Sequence, residues 1–335
     1  MLRPLSRDVA IAAFVVLTVV AIVSFAPLPQ ASRLSGDSHD FAHVLVFGVL
    51  GLFVARALRR IPGAPMQRLR VIVFTLALGL VLGIGTELAQ RYTGGTASFG
   101  DVLRDLLGTA LGLCVAFALE RATARTPRRL LWSIALLGLV AAAVPLAGTL
   151  RDYRARATLF PVLFDPAAAR GLAFVRSYDG PVEVTPLPTG ITGTDDATPA
   201  AVPIPATAPD GPPLALRLKL DRGPWPGATL TEPAADWRGH GRLVIELANP
   251  DPQPLVLGIR VNDRAHDHRY DDRFNAEVEL PPRTRRRLKY AIEAIEAAPR
   301  GRRMNLAAID KLTIFHDGPL PGREFLLLHI ALERP

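Results

Sequence analysis

The chain has 335 residues, 49% of them hydrophobic and 21% charged, with a formal net charge of +8 and a mean hydropathy of +0.24. Such apolarity excludes a disordered or fibrous chain, and a single cysteine, Cys114, excludes an intrachain disulfide scaffold. The charge is unevenly spread: residues 1–150 hold 14 Arg, no Lys and 7 acidic groups, whereas residues 151–335 hold 25 basic and 24 acidic groups. A basic excess confined to the hydrophobic half reads as a membrane-topology signal. Membrane lipid, and not nucleic acid, is the expected partner.

Five runs in the first 150 residues approach the length of about 20 residues that a helix needs to cross a bilayer. They lie at 9–26, 43–58, 71–90, 102–119 and 131–150. The first exceeds the h-region of a signal peptide, and Pro27 and Pro29 follow the site where cleavage would be sought, so an uncleaved span is expected. Arg3 and Arg7 precede it; Arg56, Arg59, Arg60, Arg68 and Arg70 fill the second loop; Arg121, Arg125, Arg128 and Arg129 fill the fourth. The intervening loops carry only Arg33 and Arg91 as basic groups. This alternation predicts a cytoplasmic N-terminus and an extracytoplasmic C-terminal half.

The same topology gathers polar residues on the outer side. His39, Asp40 and His43 are expected where the second span begins, Glu87, Gln90 and Arg91 where the third ends, and Asp101 and Asp105 where the fourth begins. His39 with His43, Glu87 with Gln90, and Asp101 with Asp105 stand three or four residues apart, so each pair shares a helix face. Gly108 and Gly112 would let the fourth span approach a neighbour closely, and Gly79, Gly83 and Gly85 would serve the third similarly. The strings Asp40-Phe41-Ala42-His43, Glu87-Leu88-Ala89-Gln90-Arg91 and Asp101-Val102-Leu103-Arg104-Asp105-Leu106-Leu107-Gly108 resemble, in order, three elements of the VanZ-like family of bacterial membrane proteins. His39-Asp40 stands where that family has Asp-Lys, and Asp105 where it has Asn. The resemblance spans roughly residues 10–120 and implies a membrane and cell-envelope context.

Three roles are open to this cluster. It holds ligands suited to a divalent metal or to acid–base chemistry; it suits a polar lipid head group or lipid-linked sugar at the outer leaflet; and its groups suit interhelical hydrogen bonds alone.

Residues 151–213 are rich in proline, which forbids long helices, and read as a linker with the first strands. Beyond them the hydrophobic period becomes two, at Leu214–Leu220, Leu243–Leu247, Leu255–Val261 and Phe274–Leu280, Phe325–Leu332 reads as an almost wholly apolar strand, and Ile292–Ala297 is a short helical candidate. An antiparallel β-sandwich is expected over 214–335. Trp225-Pro226-Gly227, Asp236-Trp237-Arg238-Gly239, Arg273-Phe274-Asn275 and Pro299–Met304 resemble turn and core signatures of galactose-binding or carbohydrate-binding jelly rolls. That resemblance implies glycan contacts, for which the aromatic candidates are Trp225, Trp237 and Tyr270. The loop holding His266 and His268 with several aspartates is a candidate metal site against a salt-bridged surface loop, and Arg283, Arg285, Arg286 and Arg287 form a candidate basic patch.

The expected architecture is an α-helical transmembrane bundle of five spans, residues 1–150, followed by an all-β jelly-roll domain. The expected function is non-catalytic binding of an envelope glycan or lipid-linked glycoconjugate, with no cofactor. The alternatives are an intramembrane enzyme working through the Asp/Glu/His cluster, and a scaffold for other envelope proteins.

Overall fold

The computed structural model describes residues 14, 18, 32–60, 66–92, 98–120, 122–168, 171–178, 182–194, 213–234 and 236–335. The span expected at 9–26 therefore lies outside the described residues but for Phe14 and Thr18. The chain divides into two compact units, Met1–Arg151 and Asp152–Pro335.

The first unit is helical: α1 (Arg33–Arg59), α2 (Arg68–Tyr92), α3 (Phe99–Ala118) and α4 (Arg125–Leu159). Three of them, α1, α2 and α4, are long and apolar enough to cross a membrane. α1 begins ten residues before the run expected at 43, because Ser32 and Ser35 form a capping box: the Ser32 hydroxyl accepts from Ser35 N at 3.0 Å and the Ser35 hydroxyl accepts from Ser32 N at 2.9 Å. His39, Asp40 and His43 thus sit within the helix body and not at its first turn.

α3 carries Asp101, Arg104 and Asp105 in its opening turns, yet much of it is buried, from Asp101 through Ala118. Glycines make this possible. A Cβ on Gly51 would stand 2.5 Å from the Thr109 carbonyl oxygen, one on Gly108 would strike the backbone of Val44, and one on Gly112 that of Gly48 and Leu52. Backbones of α1 and α3 therefore meet directly. Gly79 and Gly83 of α2 receive the side chains of Thr109 and Asp105, but a Cβ on Gly85 would meet nothing within 4 Å, so Gly85 takes no part. At the far end of these helices Glu120 accepts from Arg59 Nε and Arg68 Nη2, both at 2.9 Å.

The second unit is a sandwich of two sheets. One has the order β3 (Glu183–Pro186), β5 (Leu214–Lys219), β12 (Glu324–Glu333), β7 (Arg242–Asn249), β10 (Thr284–Ala291), β4 (Thr192–Thr194), with β1 (Val162–Phe164) also pairing β12. The other has the order β2 (Val175–Ser177), β6 (Gly227–Thr231), β11 (Ile309–Phe315), β8 (Leu255–Asp263), β9 (Phe274–Leu280). Pairing is antiparallel throughout except for β4 on β10. Inward residues of β8 (Leu255, Leu257, Ile259, Val261) meet those of β7 and β12 (Leu243, Ile245, Leu247, Phe325, Leu327) in one core. The helix expected at Ile292–Ala297 is present as α5 with those bounds.

Trp237 lies in this core with no exposed surface, so it has nothing to offer a sugar. Of the arginines after Pro281-Pro282, Arg283 is exposed just before β10, and the other three lie on β10 and are paired internally: Arg285 donates to Glu246 at 2.5 Å, Arg287 to Glu333 at 2.6 Å, and Arg286 to the Glu279 carbonyl at 3.0 Å. Arg285, Arg286 and Arg287 therefore form no free basic patch.

Candidate functional site

In the helical unit, the antiparallel run of α1, α2 and α3 brings the N-terminal parts of α1 and α3 beside the C-terminal end of α2. His43 is buried, and its Nδ1 lies 2.8 Å from Asp105 Oδ1. Its Nε2 lies 3.0 Å from His39 Nε2. Arg104 links two further carboxylates, pairing with Asp40 and Asp101 at 2.7 Å each. Glu87 of α2 accepts from Ser98 N at 2.5 Å, which ties the end of α2 to the entry of α3. Two carboxylate oxygens, Asp105 Oδ2 and Glu87 Oε1, are buried without a hydrogen-bond partner. Of the polar residues singled out in the sequence, His39, His43 and Asp105 thus form one group and Asp40 and Asp101, through Arg104, a second beside it. Gln90 is half-buried and Arg91 exposed on the last turn of α2. Arg104, which the sequence did not single out, is the cation that joins two helices.

In the β-sandwich, the outward face of the five-stranded sheet carries an open cleft of about 460 Å³. Its floor is Gly258 and Arg260 of β8, Asn275 and Glu277 of β9, and Phe315 of β11; Trp225 and Tyr270 stand at its rim. Alternation explains the floor: with Leu257, Ile259 and Val261 facing inward, Gly258 and Arg260 must face out. A Cβ at Gly258 would stand 2.7 Å from Phe315 Cζ, so the glycine makes room for the ring across the strand. The Trp225 turn is fixed where His316 N and Gly318 N donate to the carbonyls of Pro226 and Pro224, each at 2.9 Å. Trp225 is 53% and Tyr270 72% exposed, which leaves both rings open to a ligand.

Arg260 lies over Phe315, 5.0 Å from the ring centroid, and Arg273 over Tyr270 at 5.1 Å. Arg273 Nε donates to Asn275 Oδ1 at 2.9 Å, and Asn275 Nδ2 to the Tyr270 carbonyl at 2.9 Å. Arg260 Nε is buried without a hydrogen-bond partner, and neither guanidinium has an ion-pair partner among the described residues. Burial lowers the pKa of both, and Arg260 lowers that of Arg273 further. The cleft therefore combines aromatic faces, an amide, the carboxylates of Glu277 and Asp317, and two guanidinium groups engaged in no ion pair among the described residues. Glycine within the alternating β8 run was the one sequence signal pointing to this floor.

The loop after β8 is built otherwise. His266 Nδ1 lies 2.9 Å from the Asp272 carbonyl oxygen and 3.4 Å from Asp272 Oδ2. Ligand-capable atoms of His266, Asp267 and Asp272 lie within 4.8 Å of one another, without His268. Both Asp272 oxygens are already engaged: Arg302 donates to Oδ1 at 2.5 Å and to Oδ2 at 3.0 Å, and Asp267 N to Oδ2 at 2.9 Å. Arg302 also grips the buried Asp263 at 2.7 and 2.8 Å. Its guanidinium holds Asp272 well below the usual carboxylate range. Burial pushes Asp263 up, but Arg302 and the Asn305 N–H outweigh it and leave Asp263 below its ordinary value. This arrangement anchors the loop.

No family model matches the chain, and no curated protein matches it. Among solved structures, it is similar to the family 11 carbohydrate-binding module from Clostridium thermocellum in complex with a β-1,3-1,4-mixed-linked tetrasaccharide, at 11% identity over 48% of this chain and 87% of that one, TM-score 0.31. It is also similar to an exo-β-agarase, at 11% identity over 52% of this chain and 25% of that one, TM-score 0.38. A second agarase shares 14% identity over 36% of this chain and 22% of that one, TM-score 0.28.

Proposed function

We propose that the protein is a membrane-anchored glycan receptor of the bacterial cell envelope, in which the sandwich cleft binds a sugar chain bearing acidic groups. The observation that carries this reading is the cleft itself: two exposed aromatic rings border a floor that holds two arginines engaged in no ion pair among the described residues. Aromatic faces suit the C–H faces of pyranose rings, hydrogen-bonding side chains suit hydroxyls, and the guanidinium fork suits a carboxylate or sulfate. A volume of about 460 Å³ falls within the range of small-ligand sites. The arginine alternation of the first half supports an extracytoplasmic sandwich, where envelope glycans lie.

The test is binding of the detergent-solubilised full chain to an array of neutral and acidic oligosaccharides, followed by titration with tryptophan fluorescence. Acidic oligosaccharides are expected to bind, and Trp225→Ala or Tyr270→Ala to weaken binding by about 1–2 kcal/mol each. Arg260→Met with Arg273→Met should remove the preference for acidic over neutral sugars. Unchanged binding in the Trp225/Tyr270 double variant, or no glycan binding at all, would refute the reading.

A further inference from the structure

The buried cluster of the helical unit has the makings of a metal centre, independent of the sugar cleft. His39 and His43 are four residues apart on α1, so their rings share one face, and their Nε2 atoms converge to 3.0 Å. One ligand-capable atom from each of His39, His43 and Asp101 lies within 4.8 Å of the others. Asp105 accepts at His43 Nδ1 over 2.8 Å, so the nitrogen left to ligate is Nε2, whose neighbour is His39 Nε2. Carboxylate, imidazole and metal commonly stand in this sequence, because the carboxylate fixes the ring and raises its basicity. Asp101 gives one oxygen to Arg104 and retains the other.

Charge points the same way. Asp40 and Asp101 share one arginine, Arg104, while Asp105 Oδ2 and Glu87 Oε1 are buried with no partner. Uncompensated carboxylates at membrane depth are costly, and a dication removes that cost. We propose that His39, His43 and Asp101 bind one divalent transition-metal ion of the zinc class, with Asp105 as the residue that positions His43. Two imidazoles and a carboxylate form a zinc-type donor set, and three protein ligands leave a tetrahedral ion a fourth position for water or a substrate oxygen. Tetrahedral zinc–ligand lengths of about 2.0–2.1 Å set donor atoms about 3.3 Å apart, so the two Nε2 atoms, at 3.0 Å, need open only slightly and Asp101 need close by no more than about 1.5 Å.

The experiment uses the full chain, purified in detergent, stripped with chelator and titrated with Co²⁺ and then Zn²⁺. Visible absorbance of four-coordinate Co²⁺ should rise to an end point at one equivalent per chain and be abolished by one equivalent of Zn²⁺, whereas Mg²⁺ and Ca²⁺ should not displace the Co²⁺. His39→Gln, at the half-exposed edge of the cluster, should lose the Co²⁺ spectrum while retaining helix content and elution volume. Asp105→Asn should retain one equivalent but bind about 10–100-fold more weakly, with Asp105→Glu recovering part of the loss. The proposal is overturned if the stripped wild-type chain shows no saturable Co²⁺ spectrum, a result that depends on no variant, or if the spectrum survives in both His39→Gln and His43→Gln. Neither outcome bears on the sugar cleft, which lies in the other unit.

Discussion

Arg302 shows how much one side chain can hold. It donates to both Asp263 and Asp272, and Asp263 also accepts from Asn305 N at 2.6 Å, so the loop after β8 and the approach to β11 are fastened at one guanidinium. Arg302→Met leaves two buried carboxylates without their cation, and a loss of about 2–3 kcal/mol in unfolding free energy is expected, at the lower end for buried pairs because the arginine is partly exposed. Both carboxylates have folded pKa values below their unfolded ones. Their contribution is therefore present above the ordinary carboxylate range and lost as pH falls below about 4. Denaturant melts of the wild type from pH 7 to pH 3 should show that acid-dependent loss, and Arg302→Met should lack it; parallel curves for the two proteins would refute the assignment. Sequence spacing placed His266, His268 and the aspartates in one loop, but the arginine that claims Asp272 lies thirty residues further on, beyond the reach of a local motif. A longer stretch of chain separates Trp225 from Tyr270, and only the folded sheet puts both at one cleft. Trp237 shows the reverse limit, since a Trp in a turn-like string reads alike whether it faces solvent or core.

At the scale of elements, alternating apolar side chains made β5, β7, β8 and β9 readable and an almost wholly apolar run did so for β12, although β7 and β12 are buried along nearly their whole length. Strand β11 was not readable: its pairing with β8 shifts register between Ile309 and Lys311, which breaks the period of two near its start. β10 was hidden for another reason, since its arginines find partners on β7, β12 and β9 and so are taken up by the fold while resembling a solvated charge run. Among the helices, glycines were a sound guide where spacing placed them on a contact face. Gly112→Ala forces a Cβ into the backbone of α1, and a loss of about 1–3 kcal/mol is expected. Gly85→Ala meets open space and should be neutral or slightly stabilising. Thermal melts in detergent distinguish them; equal effects would mean that the close approach of α1 and α3 does not carry stability.

For the molecule as a whole, the division between an apolar helical half and a β half was visible in composition, because bilayer spans and period-two strands use residues so differently. Orientation rests on arginine placement. Reporter fusions after Arg129 and after Arg156 should report cytoplasmic and external positions respectively, and a cytoplasmic signal at Arg156 would remove the sandwich from the envelope glycans it is proposed to bind.

α3 has a consequence for how the protein is made. Its first turns carry Asp101, Arg104 and Asp105, and each such charge costs about 2.5–3.5 kcal/mol at the middle of an inserting helix, less near its end. The partners that offset this cost, Asp40 and His43, are on α1, and the contact that brings them near is glycine on backbone. A translocon offered α3 alone should therefore pass it through, whereas α3 following α1 and α2 should be retained; glycosylation-site reporters on the two lengths of chain measure the difference, and equal retention would disprove it. Assembly of the polar cluster is, on this view, the event that admits the helix to the bilayer.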